Sequence, residues 1–282
     1  MEDSISIRLL ATLAEFQACH DVQKAAWQFP DLLIIPYTQL VTVQQHGGLV
    51  MGAFDGSELV GFVYGFVGRQ GTGPIYFFSQ RMGVLPAYQG RGIGERLKWA
   101  QRAWAIERDL ARIIWTYDPL ESPNAWLNIA KLGGVVRHYE RDFYGDHDTP
   151  LHRQLPSDRF LVEWDLHSAR VQARLEVGWS PPTGDELLAL AGPALNAVTW
   201  DERGVPVCGV PNLALDDPAL LAEVPAQWQA LRQIDLTLAA DWRSKTRTLF
   251  EHYFALGYAV TGYAGHVVGG RRRNFYLLEL EA

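Results

Sequence analysis

Hydrophobic and polar positions along the first 167 residues change period several times, and each change predicts an element. Ile5 to Leu10 alternates, as a short strand does. Thr12 with Glu15 three residues on makes a capping box, and Leu13, Phe16, Val22, Ala25, Ala26 and Phe29 follow helical spacing up to Pro30. A second helix is predicted from Pro36 to Gln45, stopped at Gly47-Gly48. Two strands, Leu49 to Phe54 and Glu58 to Val67, are joined by Asp55-Gly56, a strong hairpin signal. After the turn Gly71-Thr72-Gly73-Pro74, an aromatic run from Ile75 to Val84 reads as a strand, and helical period resumes from Gly94 to about Asp109. A strand from Ala111 to Pro119, a helix from Ser122 to Leu132 ended by Gly133-Gly134, and strands from Val135 to Tyr144 and Arg159 to Leu166 complete the series.

The texture changes from about Ala169. Ser180-Pro181-Pro182-Thr183-Gly184 breaks the chain, and short apolar runs follow at Ala194 to Trp200, Val205 to Val210 and Leu220 to Val224. Helical spacing then runs from Ala226 to Leu256 with a break expected near Asp241, and strands Tyr258 to Tyr263 and Asn274 to Leu280 close the chain. The expectation is an α/β protein of two domains, 1–168 and a smaller α/β domain at 169–282. The order strand, helix, helix, strand, strand in the second echoes the first from its fourth strand onward, so a degenerate repeat is open. Pro225 to Ala230 holds no glycines, so that half is not expected to bind the same ligand.

The stretch most open to chemistry is Met82 to Leu97, a strand end, a tight loop and a helix start. Gly90, Gly92 and Gly94 alternate with Arg91 and Ile93, so no Cβ on the glycines keeps a ligand from the backbone N–H groups. Those groups open a helix whose dipole favours an anion, which reads as a phosphate or pyrophosphate cradle. The dinucleotide fingerprint and the Gly-Lys-Ser/Thr phosphate loop are both absent.

Gln89-x-x-Gly92-x-Gly94, preceded by Val84-x-Pro86 and followed by an amphipathic helix, resembles the acyl-coenzyme A loop of the GNAT acetyltransferase superfamily. The resemblance covers about residues 5–167 and implies that family's mixed-sheet fold and acetyl-CoA as co-substrate. It implies a pantetheine arm along the strand at Met82, Gly83 and Val84, and a pyrophosphate held at Gln89, Gly90, Arg91, Gly92, Ile93 and Gly94. Asn124, at the start of the next helix, falls in a region that abuts the CoA arm in the family, although capping also explains it. The implied activity is transfer of acetyl to a primary amine of a small molecule or peptide; the alternative is a non-catalytic CoA-binding or regulatory module.

One departure bears on catalysis. GNAT enzymes often carry a tyrosine three residues before Lys-Leu-Gly or its equivalent, and that phenol protonates the leaving thiolate; on Lys131-Leu132-Gly133 the position falls on Ile129 or its neighbour Asn128. An aliphatic side chain cannot donate a proton. The remaining candidates are Tyr117 and Asp118 at the end of the fifth strand and Tyr139 and Tyr144 on the next. Tyr144, expected at its strand's end where a cleft can open, is chosen as the acid, with Asp118 as second catalytic candidate. For each tyrosine, packing in the sheet is the competing explanation, and for Asp118 it is a turn role before Pro119.

Composition narrows the partners. A net charge of −7 argues against a general nucleic-acid or anionic-membrane partner. Two cysteines, Cys19 and Cys208, give no disulfide framework, and the first residues lack the basic start and apolar core of a signal peptide. No apolar run approaches a membrane span, so a cytoplasmic protein is expected, with a homodimer left open. His147 and His152 near Asp146 and Asp148 lie in a turn-rich run, read as a solvated connection and not as a metal site. Arg271-Arg272-Arg273 after Gly269-Gly270 is the one basic cluster and reads as a hairpin tip outside the site.

Overall fold

The computed structural model describes residues 4–145, 155–190 and 192–281. They pack as two compact units: the first runs through Trp115 and takes in Asp165–His167, and the second begins at Thr116 and holds the rest. The two units divide the chain within the fifth strand, whereas the change of texture from about Ala169 and the extent of the resemblance suggested a boundary at 168.

In the first unit, β1 (Ile5–Leu9) leads to α1 (Leu13–Trp27) and α2 (Tyr37–Gln45). Thr12 and Glu15 close the capping box, and Arg8 grips the Glu15 carboxylate at 2.7 Å. Next come β2 (Leu49–Asp55), β3 (Glu58–Arg69), β4 (Ile75–Val84), α3 (Ile93–Ile106) and β5 (Arg112–Tyr117). The sheet order is β1-β2-β3-β4-β5, antiparallel except for the parallel pair β4–β5. Every residue from Leu49 to Phe54 is buried, so both faces of β2 are covered. Phe16, Cys19, Val22 and Leu40 of α1 and α2 meet Val50, Phe62 and Tyr64 on one layer. Ile93, Leu97 and Trp104 of α3 are buried as well, with the Trp104 ring 5.0 Å from that of Phe77 on β4.

The second unit starts at the end of β5. It continues through α4 (Ser122–Ala125), which widens into a π-helical turn at Trp126–Lys131, then β6 (Val135–Glu140) and β7 (Arg159–Asp165). Short helices α5 (Ala169–Ala173) and α6 (Gly184–Leu190) precede a small hairpin of β8 (Val198–Trp200) and β9 (Pro206–Cys208). Then follow β10 (Ala219–Val224), α7 (Trp228–Ile234), α8 (Leu236–Ala255), β11 (Tyr258–Val268) and β12 (Arg271–Leu280). Strands of this unit lie in the order β7-β6-β11-β12-β10, antiparallel in each pair.

Three expectations change here. The long helical run breaks at Asp235, not Asp241, because the Asp235 side chain accepts from the Leu238 amide and caps α8, while Asp241 pairs with Lys245 one turn on. β6 stops at Glu140, not Tyr144: the chain turns over Arg141–Tyr144, with Asp142 at a φ of 41°. The closing hairpin is longer than the apolar runs that announced it, and its tip is Gly269-Gly270, so the three arginines belong to β12.

Candidate functional site

β4 delivers the loop. Its register against β3 slips between Tyr64–Arg81 and Gly65–Ser79, which leaves Gln80 as an extra residue, a β-bulge. Its ladder with β5 consists of Phe77–Ile113 and Phe78–Ile114. From Ser79 to Val84 the edge facing away from β3 therefore carries no ladder within the first unit. Met82 and Val84 are half-buried on this stretch. Gly83 is buried, and a Cβ there would meet the Trp27 ring at 3.0 Å, so its bare backbone gives α1 a seat.

The chain then makes a 3-10 turn at Pro86–Tyr88, and the Gln89 side-chain amide donates back to the Val84 carbonyl at 3.1 Å, which ties loop to strand. Gly90 and Gly92 both take a φ of +76°, a conformation L side chains rarely adopt, and a Cβ at either would point into open space. Gly92 is the N-cap of α3, one residue earlier than the pattern predicted, and it has no side chain to satisfy the first-turn amides. The N–H groups of Gly90, Arg91, Gly92, Ile93 and Gly94 have no hydrogen-bond partner among the described residues. Arg91 is exposed, with its guanidinium 4.8 Å from the Tyr88 ring centre. Adjacent unpaired donors at a helix start are what a phosphate group needs.

Beneath this strand lies a group the sequence did not flag. Lys98, on α3 and 2% exposed, donates to Ser79 Oγ at 3.0 Å and to Gln101 Oε1 at 2.9 Å, and its Nζ lies 3.6 Å from the Trp115 ring centre. Burial pushes its pKa well below that of an ordinary lysine. The available signal was its place directly after Leu97 beside the apolar stripe of α3, but charge alone assigns such a residue to solvent.

The catalytic candidates fall in the second unit, and three of the four are engaged. Asp118 is 7% exposed, and its two carboxylate oxygens accept from Arg243 at 2.8 and 2.5 Å. Burial pushes this carboxyl up, but the charge and hydrogen bonds of Arg243 outweigh it and hold the pKa below the usual value. Tyr276 donates to the Pro119 carbonyl at 2.7 Å, so the 3.1 Å bond between the Tyr117 and Tyr276 hydroxyls takes its proton from Tyr117. Tyr139 donates to Asp158 at 2.6 Å, and Arg247 holds both oxygens of that carboxylate at 2.8 Å. Tyr144 differs from these, with 42% of its surface exposed on the turn after β6. Its backbone amide donates to Ser157 Oγ at 2.8 Å, and the Arg159 guanidinium lies 5.1 Å from its ring centre.

Asn128 and Ile129 are buried in the π-helical turn, Ile129 completely. Asn124 is exposed on α4. Asp146, His147, Asp148 and His152 lie outside the described residues, and no group of three or more His, Cys, Asp or Glu among the described ones could hold a metal. No helix of the described residues is long and apolar enough to cross a membrane.

Residues 11–126 match the model of the acetyltransferase (GNAT) family, and this part of the chain is a GNAT acetyltransferase domain. Further strands follow it toward the C-terminus. Among solved structures, the chain is similar to the ribosomal-protein-S18-alanine N-acetyltransferase of Escherichia coli, at 17% identity and a TM-score of 0.47 over 58% of this chain and 96% of that one. A GNAT family acetyltransferase from Elizabethkingia anophelis, solved with acetyl-CoA bound, is 15% identical with a TM-score of 0.43 over 58% and 99% of the two chains. An N-acetyltransferase from Staphylococcus aureus Mu50 is 15% identical with a TM-score of 0.46 over 57% and 98%. No curated protein matches the chain.

Proposed function

We propose that the protein transfers an acetyl group from acetyl-CoA to a primary amine of a small molecule or peptide. The observation that carries this is the row of five unpartnered amides from Gly90 to Gly94 at the start of α3, in a domain that matches an acetyltransferase family. These amides would bind the pyrophosphate, and the edge of β4 past Gln80, which carries no ladder within the first unit, would offer N–H and C=O groups to the pantetheine amides, as a sheet edge takes an added strand. When bound, acetyl-CoA supplies an acyl group already activated as a thioester. In this reading, backbone donors along the same edge of β4 would stabilise the oxyanion that forms as the amine adds.

Tyr144 is the proton donor in this reading. The protons of Tyr117 and Tyr139 go to other protein groups, whereas the Tyr144 ring stays in solvent. Asp118, both oxygens taken by Arg243, is assigned to structure and left out of the chemistry. Asn124 stays in the proposal as a residue near the CoA arm.

Acetyl-CoA at a hundred times its dissociation constant stabilises the chain by about 2.7 kcal/mol, which raises the melting temperature by several degrees. Gly92→Val removes the shift, because a β-branched residue is strained at this φ and its side chain fills the cradle. No shift at millimolar acetyl-CoA would end the proposal. The burial of Ile129 where a proton donor is expected favours a second reading, a CoA-binding module without turnover. Free thiol released from acetyl-CoA with a panel of amines separates the two.

A further inference from the structure

Within the second unit, a cavity of about 300 Å³ opens where β10 passes through Pro225 into α7. That is near the lower end of the range for small-molecule sites. Its wall is apolar and aromatic, with Trp200 from β8, Val224 from β10, Leu231 from α7 and Trp242 from α8. The charged groups at its border are unevenly matched. Arg203 is held by Asp201 at 2.7 Å and Asp235 at 2.8 Å. Glu223, 3% exposed, is held by Arg273 through two guanidinium nitrogens. Arg271 and Arg272 also line the cavity, and neither has a carboxylate partner among the described residues. The Arg271 guanidinium lies 4.7 Å from the Trp200 ring centre, and Arg272 donates to the neutral Asn274 side chain at 3.2 Å.

Two adjacent cations without a counter-charge, set at the mouth of an aromatic cavity in a chain of net charge −7, are poorly explained by folding. Trp200 orients Arg271 without neutralising it. A guanidinium suits a planar carboxylate, which accepts two parallel hydrogen bonds from it. We propose that this cavity binds a small aromatic carboxylate, its acid group on Arg271, with Arg272 adding positive charge at the border, and its ring against Trp200. The site is separate from the glycine loop and does not rest on the transferase reading, since all its residues belong to the second unit.

Titration with indole-3-acetate and with the neutral indole-3-acetamide, followed by isothermal calorimetry on the full chain, tests this directly. Charge-assisted hydrogen bonds are worth about 1.5–3 kcal/mol, so the acetate should bind at least tenfold tighter than the amide. Arg271→Glu with Arg272→Glu should abolish acetate binding and leave the melting temperature near that of the parent, since both side chains are exposed. Should that pair of changes disturb folding, the acetate-to-amide ratio on the parent protein decides alone. Equal binding of acetate and amide, no binding of either with 4-phenylbutyrate also silent, or displacement of the acetate by acetyl-CoA would each overturn the proposal.

Discussion

Arg243→Met removes the cation from a carboxylate that cannot reach water. The Asp118 and Arg243 side chains are 9% and 3% exposed, so the charge left behind cannot be resolvated in place. Breaking such a buried pair costs roughly 3–5 kcal/mol. At about 2–4 °C per kcal/mol for a body of this size, the melting temperature of the second unit should fall by roughly 6–20 °C. The two single variants should respond differently to pH. In Arg243→Met, Asp118 can escape its burial by taking a proton, so the deficit narrows as the pH is lowered toward 5. In Asp118→Asn the guanidinium stays charged at every accessible pH, and the deficit should be flat. The parent behaves oppositely to Arg243→Met: its Asp118 pKa is held below the unfolded value, so the stability from the pair is full above about pH 4 and is lost as the pH falls below it. Asp118→Leu with Arg243→Met removes both charges and should recover most of the loss. Scanning calorimetry from pH 3 to 8 reads all of this. Single variants within about 1 kcal/mol of the parent, or a double variant as unstable as the summed singles, would refute a dry, mutually dependent pair.

Three further outcomes follow from other groups. The Glu121 carboxyl is raised to about 7, mainly by burial and then by Asp118 nearby, so the folded chain binds more protons than the unfolded one between pH 4.5 and 7 and loses stability as the pH rises through that window. Glu121→Gln, which keeps an acceptor for Gln229, should flatten this slope and stabilise above pH 7 by up to about 3 kcal/mol; an unchanged slope in calorimetry would assign it elsewhere. Lys98 has its pKa depressed, so stability of the first unit should rise as the pH climbs toward 10, and Lys98→Met should lose that rise in melting curves. Tyr144→Phe should cut turnover of a proven amine about a hundredfold with the acetyl-CoA melting shift intact, whereas Asp118→Asn assayed below its melting temperature should keep its kcat.

Most of the first unit was legible because its signals are local. The strand at Ile75–Val84 matches the prediction residue for residue, and the Thr12 capping box and the Asp55-Gly56 hairpin lie where composition put them. The glycine loop was legible for the same reason, since positive φ at Gly90 and Gly92 is a backbone demand that sequence records directly. What escaped depends on distant partners. Asp118 read as a turn residue or a catalytic candidate because its cation lies 125 positions downstream. Tyr144 read as the end of a strand because the aromatic run continues past Glu140; yet Asp142 leaves that strand to accept from Ser157, a contact fixed only once β7 is in place. Lys98 escaped because its partners Ser79 and Trp115 sit on two different strands.

The pairing of Tyr117 and Asp118 with Tyr276 and Arg243 also has a consequence in time. A ribosome adding about 5–20 residues per second completes β5 well before it reaches α8, and the hydroxyl that receives Tyr117 is 159 positions further on. For roughly ten seconds the end of β5 is a nascent strand with an aspartate that has no cation and a phenol that has no acceptor. The same holds for Asp158, whose arginine arrives 89 residues later. The segment from Thr116 to Trp164 should therefore stay sensitive to protease on a stalled chain until α8 has emerged. A fragment cut at residue 168, although it contains the whole family match, is expected to remain incompletely folded over that segment.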